Sequence, residues 1–260
     1  MKKFFFLLSS AILLFACNND KTAETAKNTD LIQQNLKGKV QSIEETSYAV
    51  DSTGKMGAKD TLVSQSDFDA KGYQVKVTTK NSAGKVTDET TVSHYDNGAA
   101  KNVTGISNGK QTFKMEIEID SSGKYSGAKS YDTADKQTTY YKNLTQDEFG
   151  NVLTGTEYKM DNTIKSSFVN NYDKNGHFIG AQSKDSTGKE TFHSSVKLND
   201  KGDAIETTTT TVMKDSSKTE TVVHKYDSYD DKGNWTQRTA YDDKGKPTKI
   251  VKRTITYYKD

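Results

Sequence analysis

Few side chains in this sequence stand at spacings that could do chemistry. Gly105-Ile106-Ser107-Asn108-Gly109 has the Gly-x-Ser-x-Gly form of a hydrolase nucleophile. That form works only where a strand enters and a helix leaves, holding the serine on a strained turn. Here Lys110 to Ile119 follows, alternating polar and apolar as a strand does, so Ser107 is read as a hairpin residue. The histidines His94, His177, His193 and His224 lack the close spacing of metal ligands on one element. Aspartate-rich pentads such as Tyr172-Asp173-Lys174-Asn175-Gly176 lack the alternating oxygen ligands and final glutamate of a calcium loop, and several insert a lysine (Lys71, Lys174, Lys201, Lys232). Gly54-Lys55, Gly188-Lys189 and Gly245-Lys246 are not followed by the Ser or Thr of a phosphate loop. A non-enzymatic chain without metal or cofactor is therefore expected. What remains is aromatic. The sole tryptophan, Trp235, and the adjacent pairs Tyr140-Tyr141 and Tyr257-Tyr258 could stack on a ligand such as a sugar ring, each pair placing one ring on each face of a strand. Phe68, Tyr172 and Tyr229 instead precede turn aspartates and are expected to pack as cross-strand rungs.

The elements carrying these residues are set by a repeat. An apolar-Asp-x-x-Gly signature recurs, with variants, at glycines 72, 98, 123, 150, 176, 202 and 233, in steps of 26, 25, 27, 26, 26 and 31 residues. A second turn lies midway, as at Asn81-Ser82-Ala83-Gly84, Asp185-Ser186-Thr187-Gly188 and Asp242-Asp243-Lys244-Gly245. In both, the first side chain caps the turn and glycine supplies the positive φ that closes a hairpin. Between turns the chain alternates with period two: Phe113, Met115 and Ile117 against Lys114, Glu116 and Glu118. The expectation is an all-β antiparallel meander of about fifteen strands. Because each strand has one thin apolar face, a single long, twisted, curved sheet wrapping partly around itself is expected. A closed barrel is the alternative, since closure would remove the edges. The Lys, Glu and Asp of the outward faces exclude the apolar band of a membrane-spanning barrel.

Ahead of the repeat, Lys2-Lys3 and the apolar stretches Phe4 to Leu8 and Ala11 to Ala16 lead to the only cysteine, Cys17. This is the layout of an export signal, too short and too interrupted for a permanent membrane span. Leu14-Phe15-Ala16-Cys17 resembles the lipobox of bacterial lipoproteins. The resemblance implies cleavage before Cys17, acylation of that residue, and stable anchoring, since several acyl chains hold far more firmly than one. Asn18 follows where many lipoproteins retained in the inner membrane carry aspartate, so the resemblance favours the outer membrane, with the domain periplasmic or surface-exposed. Residues 1–16 are read as signal peptide and 17–37 as acylated cysteine and flexible tether. Residues 38–260 are read as the repeat domain. Leu31-Ile32 and Leu36 could form a helical turn under that domain.

Composition narrows the function class. The net charge is +2, and cleavage before Cys17 removes Lys2 and Lys3, leaving the chain balanced against its 35 acidic residues. Nucleic acid, which demands a basic face, is not an expected partner. Tyr172-Asp173-Lys174-Asn175-Gly176 and Tyr229-Asp230-Asp231-Lys232-Gly233 resemble the YD repeats of RHS-type proteins. The likeness covers roughly residues 62–260, at the turns alone, and the unit here is longer. The Lys-, Thr-, Asp- and Gly-rich composition also resembles spirochaetal surface lipoproteins with a single-layer sheet. Neither resemblance supplies catalytic residues. The expected role is an envelope scaffold or binding surface held to the membrane by its lipid, with a glycan or a protein effector, including an immunity-type role, as the alternative.

Overall fold

The computed structural model describes residues 29–51, 53–213 and 215–259; the expected signal segment and Cys17, within residues 1–28, lie outside the described residues. One helical turn, α1 (Asp30–Gln33), precedes the strands. They are β1 (Val40–Val50), β2 (Met56–Phe68), β3 (Gln74–Lys80), β4 (Val86–His94), β5 (Ala100–Ser107) and β6 (Lys110–Ile119). Next come β7 (Tyr125–Tyr131), β8 (Gln137–Gln146), β9 (Val152–Lys159), β10 (Ile164–Tyr172) and β11 (Phe178–Asp185). The last are β12 (Glu190–Leu198), β13 (Ala204–Val212), β14 (Ser217–Tyr229), β15 (Trp235–Tyr241) and β16 (Pro247–Tyr257).

Most of the hairpin turns announced by Asp or Asn and Gly are built the same way, Asn108-Gly109 being a two-residue turn with both φ positive. At Asp69, the carboxylate accepts the Lys71 and Tyr73 amides at 2.9 and 3.0 Å, while the Gly72 amide bonds the Asp69 carbonyl at 3.0 Å. Asp185 repeats this at the opposite rim, accepting from Thr187 and Lys189. Gly72 and Gly188 hold φ of +92° and +83°, which the turn requires.

The expectation of an open curved sheet is overturned, because the strands close into a barrel. β1 pairs with β16 from Val40–Tyr257 to Ala49–Lys249, so the first and last strands form a full seam. The physical reason is the edge itself. A meander of this length would otherwise end in two unpaired strands of eleven residues each. Glu45 opposite Arg253 and Ile43 opposite Ile255 fit the two edges to each other. Sixteen strands rather than about fifteen take part.

Paired residues on neighbouring strands point the same way. Followed around the ring, the register runs Ile43–Ser66, Ser66–Val77, Val77–Thr90 and Thr90–Gly105. It continues through Tyr141–Glu157, Phe168–Ser183, Phe192–Thr211 and His224–Ala240 to Arg238–Val251 and Ile255–Ile43. This face is the inner one. It carries the buried cluster Val92, Val103, Ile117 and Ala128, over which Phe113, Met115, Tyr141 and Phe168 pack. Gly105 and Gly155 lie beneath the Phe113 and Phe168 rings, where a Cβ would overlap them. The outer face carries the ion pairs Lys76–Glu89 and Lys114–Glu116, together with Lys142, Lys225 and Lys252. Each cation at mid-depth in lipid would cost roughly 2–4 kcal/mol, so this wall is built for water.

The two rims differ. At the rim holding the apolar-Asp-x-x-Gly turns, an added Cβ on Gly72, Gly98 or Gly202 would meet neighbouring side chains. At the other rim, Gly84, Gly109, Gly188 and Gly245 have nothing within 4 Å. The tight rim follows from small residues where odd-numbered strands begin: Ala99-Ala100, Gly127-Ala128 and Gly180-Ala181 let neighbouring backbones and rings close in. The crowded rim is the base of the barrel, where residues 29–35 pack against the turns.

Candidate functional site in the barrel lumen

Residues 29–38 form a strap across that base. The Leu31 amide bonds the Gly72 carbonyl at 3.3 Å, and Gln33 Nε2 donates to Asn151 Oδ1 at 3.0 Å. Asn35 Nδ2 donates to Asp203 Oδ1 at 2.7 Å, and the Lys37 amide to Asn234 Oδ1 at 2.8 Å. The β2–β3 and β8–β9 turns are nearly opposite in strand order, yet residues two apart in the strap touch both. Leu31 and Leu36 bury against Val40, Ile43 and Phe68, so the base is sealed by apolar packing as well as by these bonds.

One strap contact carries a charge penalty. Asp30 Oδ2 accepts the Gln74 amide at 2.6 Å, and burial pushes the Asp30 carboxyl up to about 6; the Gln74 bond opposes the rise and Asp69 adds to it. A carboxyl raised on docking favours the docked strap while protonated. That contribution, about 3 kcal/mol at most, is complete below about pH 4 and is lost as pH rises through 6. Protection of the Leu31 and Leu36 amides relative to their intrinsic exchange rates is therefore expected to fall between pH 4 and 7. Asp30→Asn, which keeps the acceptor and removes the charge, is expected to flatten that dependence; an unchanged pH profile in the variant would dismiss Asp30 as its source.

The five aromatic candidates do not converge on one place. Tyr140 lies on the outer face, stacked on Tyr158 with ring centroids 5.3 Å apart and its hydroxyl donating to Asn162 Oδ1 at 2.6 Å. Tyr141 lies in the lumen at an edge-on angle to Phe168, and burial raises its pKa. Tyr257 and Tyr258 are at the base. Tyr257 donates to Asp230 and accepts from Asn234 Nδ2, while the Tyr258 hydroxyl donates to the Phe68 carbonyl across the seam at 2.7 Å. Trp235 is 5% exposed on the inner wall, next to the strap-bound Asn234. Tyr229 donates to Asp203 Oδ2 at 3.0 Å and acts as the rung its place before a turn suggests. Among the described residues no group of three His, Cys, Asp or Glu side chains could hold a metal ion.

Around Trp235 stands a constellation that pattern reading missed. The chain has two arginines, Arg238 and Arg253, and both lie over the Trp235 ring, 4.5 and 3.5 Å from its centroid. Arg253 is held by Glu45 Oε1 at 2.7 Å, with 13% of its side chain exposed. Burial lowers its pKa, Glu45 opposes that, and Arg238 adds to the lowering. Arg238 has no such carboxylate, and its buried Nε has no hydrogen-bond partner. Tyr226 packs on Trp235 at 5.8 Å, its hydroxyl donating to the Ala204 carbonyl at 2.8 Å. Burial, with Arg238 contributing, lowers His224 to about 4, so its imidazole is neutral in neutral water; its buried Nδ1 also has no partner. One lumen wall, from β4 to β10, is thus largely apolar, with the buried Glu157 neutralised by Lys165 and bonded by Ser166, and the other brings two guanidinium groups together beside the Glu45 carboxylate. A wall of that kind can hold a negatively charged group but contains no nucleophile paired with a base. The cheapest sequence signal for it is compositional: two arginines among 37 basic residues, both in the last strands.

A porin-like protein from Bacteroides uniformis has a similar fold, with TM-score 0.51 over 84% of this chain and 96% of its own, at 15% identity. A second porin-like protein, from Bacteroides vulgatus, gives 0.43 over 84% and 98%, at 10% identity. The Photorhabdus luminescens Tc holotoxin pore gives 0.29 over 77% of this chain and 15% of that one, at 9% identity. The first likeness establishes a shared barrel fold. No family model matches the chain, and no curated protein matches its sequence.

Proposed function

We propose that this chain is a non-enzymatic, lipid-anchored protein of the bacterial outer membrane whose barrel stands beside the bilayer as a water-filled binding cup. The observation that carries the reading is the asymmetry of the barrel. The strap that leads back towards Cys17 crosses the sealed base, leaving the unobstructed rim at the far end. A cup so tethered turns its mouth away from the membrane. The charged outer wall supports anchoring by acyl chains rather than by the strands. The Tyr-Asp-x-x-Gly turns, in which Tyr229 bonds to Asp203 beside the preceding turn while Tyr172 packs edge-on against Phe178, support kinship with YD-repeat proteins in the manner of turn construction.

The test is metabolic labelling with a clickable fatty acid, followed by protease shaving of intact cells. Label is expected on the wild type and absent from Cys17→Ser. A chain exported by a cleavable signal and starting at residue 18 is expected in the aqueous fraction without detergent. Label that survives Cys17→Ser, or a residue-18 chain that still needs detergent, would defeat the reading. Loss of the domain on shaving would assign it to the cell surface, and protection to the periplasm.

A further inference from the structure

We infer that the Arg238–Trp235–Arg253 wall is a binding site for the oxyanion group of a small solute, a carboxylate or a phosphate, that enters through the open rim. The inference deepens the binding-cup reading and rests on it.

Three observations point the same way. Around Trp235, the inner wall of β15, β16 and β1 sets two guanidinium groups against the Glu45 carboxylate. Lys249 adds a further cation on that face, and Lys218 and Glu220 of β14 pair with each other, so the wall keeps an excess of positive charge. Repulsion between cations sharing one indole ring is tolerated more readily when a further anion joins them. Secondly, Arg238 Nε and His224 Nδ1 are buried without partners, and native structures rarely leave such atoms unsatisfied unless water or a ligand completes them. Arg238, stacked on a ring, with the Tyr226 hydroxyl beside its guanidinium and its Nε unpartnered, has donors left for a two-oxygen anion. Thirdly, Arg253 is already engaged by Glu45, which holds it in place and leaves Arg238 as the primary donor. A protonated His224 would add a third cation, but burial beside Arg238 keeps it neutral, able to donate one N–H or accept one. The usage of basic residues agrees: wherever this protein only needs surface charge it uses lysine. A guanidinium is the group that stacks and binds carboxylate or phosphate bidentately.

Trp235, the single tryptophan, reports on the site directly. The mature full-length chain is titrated at fixed ionic strength with sodium phosphate, with sodium acetate, and with chloride as control, following Trp235 emission. A saturable change with phosphate or acetate but not chloride is expected, and the more effective anion identifies the source of the oxyanion. Arg238→Lys preserves charge and removes the fork, and is expected to weaken binding about ten-fold with an unchanged melting curve. Glu45→Gln leaves an acceptor for Arg253 but removes the competing charge, and is expected to tighten binding roughly three- to ten-fold. A purely structural Arg–Trp stack predicts the opposite sign for neither variant and a flat titration for all three salts. Flat titrations, or equal responses in wild type and Arg238→Lys, would overturn the inference. Neither result bears on acylation, so failure here leaves the anchored barrel to be judged by its own label.

Discussion

Deleting residues 247–260 is expected to abolish cooperative unfolding altogether. The deletion removes β16, and with it Ile250 and Val251, each at most 7% exposed, plus the Arg253 cover on Trp235. Burial of such aliphatic side chains contributes about 1.5–3 kcal/mol each. The larger effect is topological. β1 loses its partner from Val40 to Ala49 and β15 loses its partner from Gln237 to Tyr241, so two edges that nothing else covers become available to other chains. The truncated chain is expected in the void volume on size exclusion, binding an amyloid-sensitive dye, where the full chain elutes as a discrete species with a sharp melt. A truncated chain that stayed monomeric with a sharp melt would mean that the sheet is stable open and that the seam is incidental.

Gly180→Ala is expected to lower stability by about 2–4 kcal/mol, because the added methyl group meets backbone. Gly180 has φ of +155°, and a Cβ there would lie 2.4 Å from the Ser194 carbonyl oxygen and 3.3 Å from the Ser195 Cα. Backbone on the partner strand cannot rotate away as a side chain can. The neighbouring bond, from the Ala181 amide to Ser194 Oγ at 3.1 Å, would be disturbed as well. For a domain of this size that corresponds to a melting point lower by roughly 5–15 °C. Gly84→Ala is the control. It has a left-handed φ of +75° and open space around it, so about 1 kcal/mol from backbone strain alone is expected. Equal effects at the two positions would show that backbone strain, and not the close approach of β12, governs the base.

Local features of this barrel are written plainly in the chain. Turn residues such as Asp69 and Gly72, and alternation such as Phe113, Met115 and Ile117 against Lys114, Glu116 and Glu118, specify hairpins because they act within a few residues. Closure does not act locally. It depends on Glu45 meeting Arg253 and Ile43 meeting Ile255 across 208 and 212 positions, and nothing in a 26-residue period reports on that distance. Trp235 was legible as a singular residue, but its surroundings were not. Arg238 and Arg253 sit on different strands, and their convergence on one ring follows from the register of β15 against β16. Tyr140 and Tyr141 could be assigned to opposite faces by alternation, yet which face was interior became determinable only once the sheet closed.

The seam also couples folding to delivery. As the chain emerges in sequence order, each new hairpin can pair with the one before it, but β1 must wait for β16, the last of the sixteen to arrive. The strap waits longer still, because its sites at Gly72, Asn151, Asp203 and Asn234 are brought around one opening only when the ring is complete. Pairing of such distant segments is slow, and the intermediate carries two open edges throughout. A growing chain is therefore a better substrate for envelope proteases and chaperones than a finished one. The docked strap marks the difference: the stretch ahead of β1 becomes protected only after every strand has been delivered and joined.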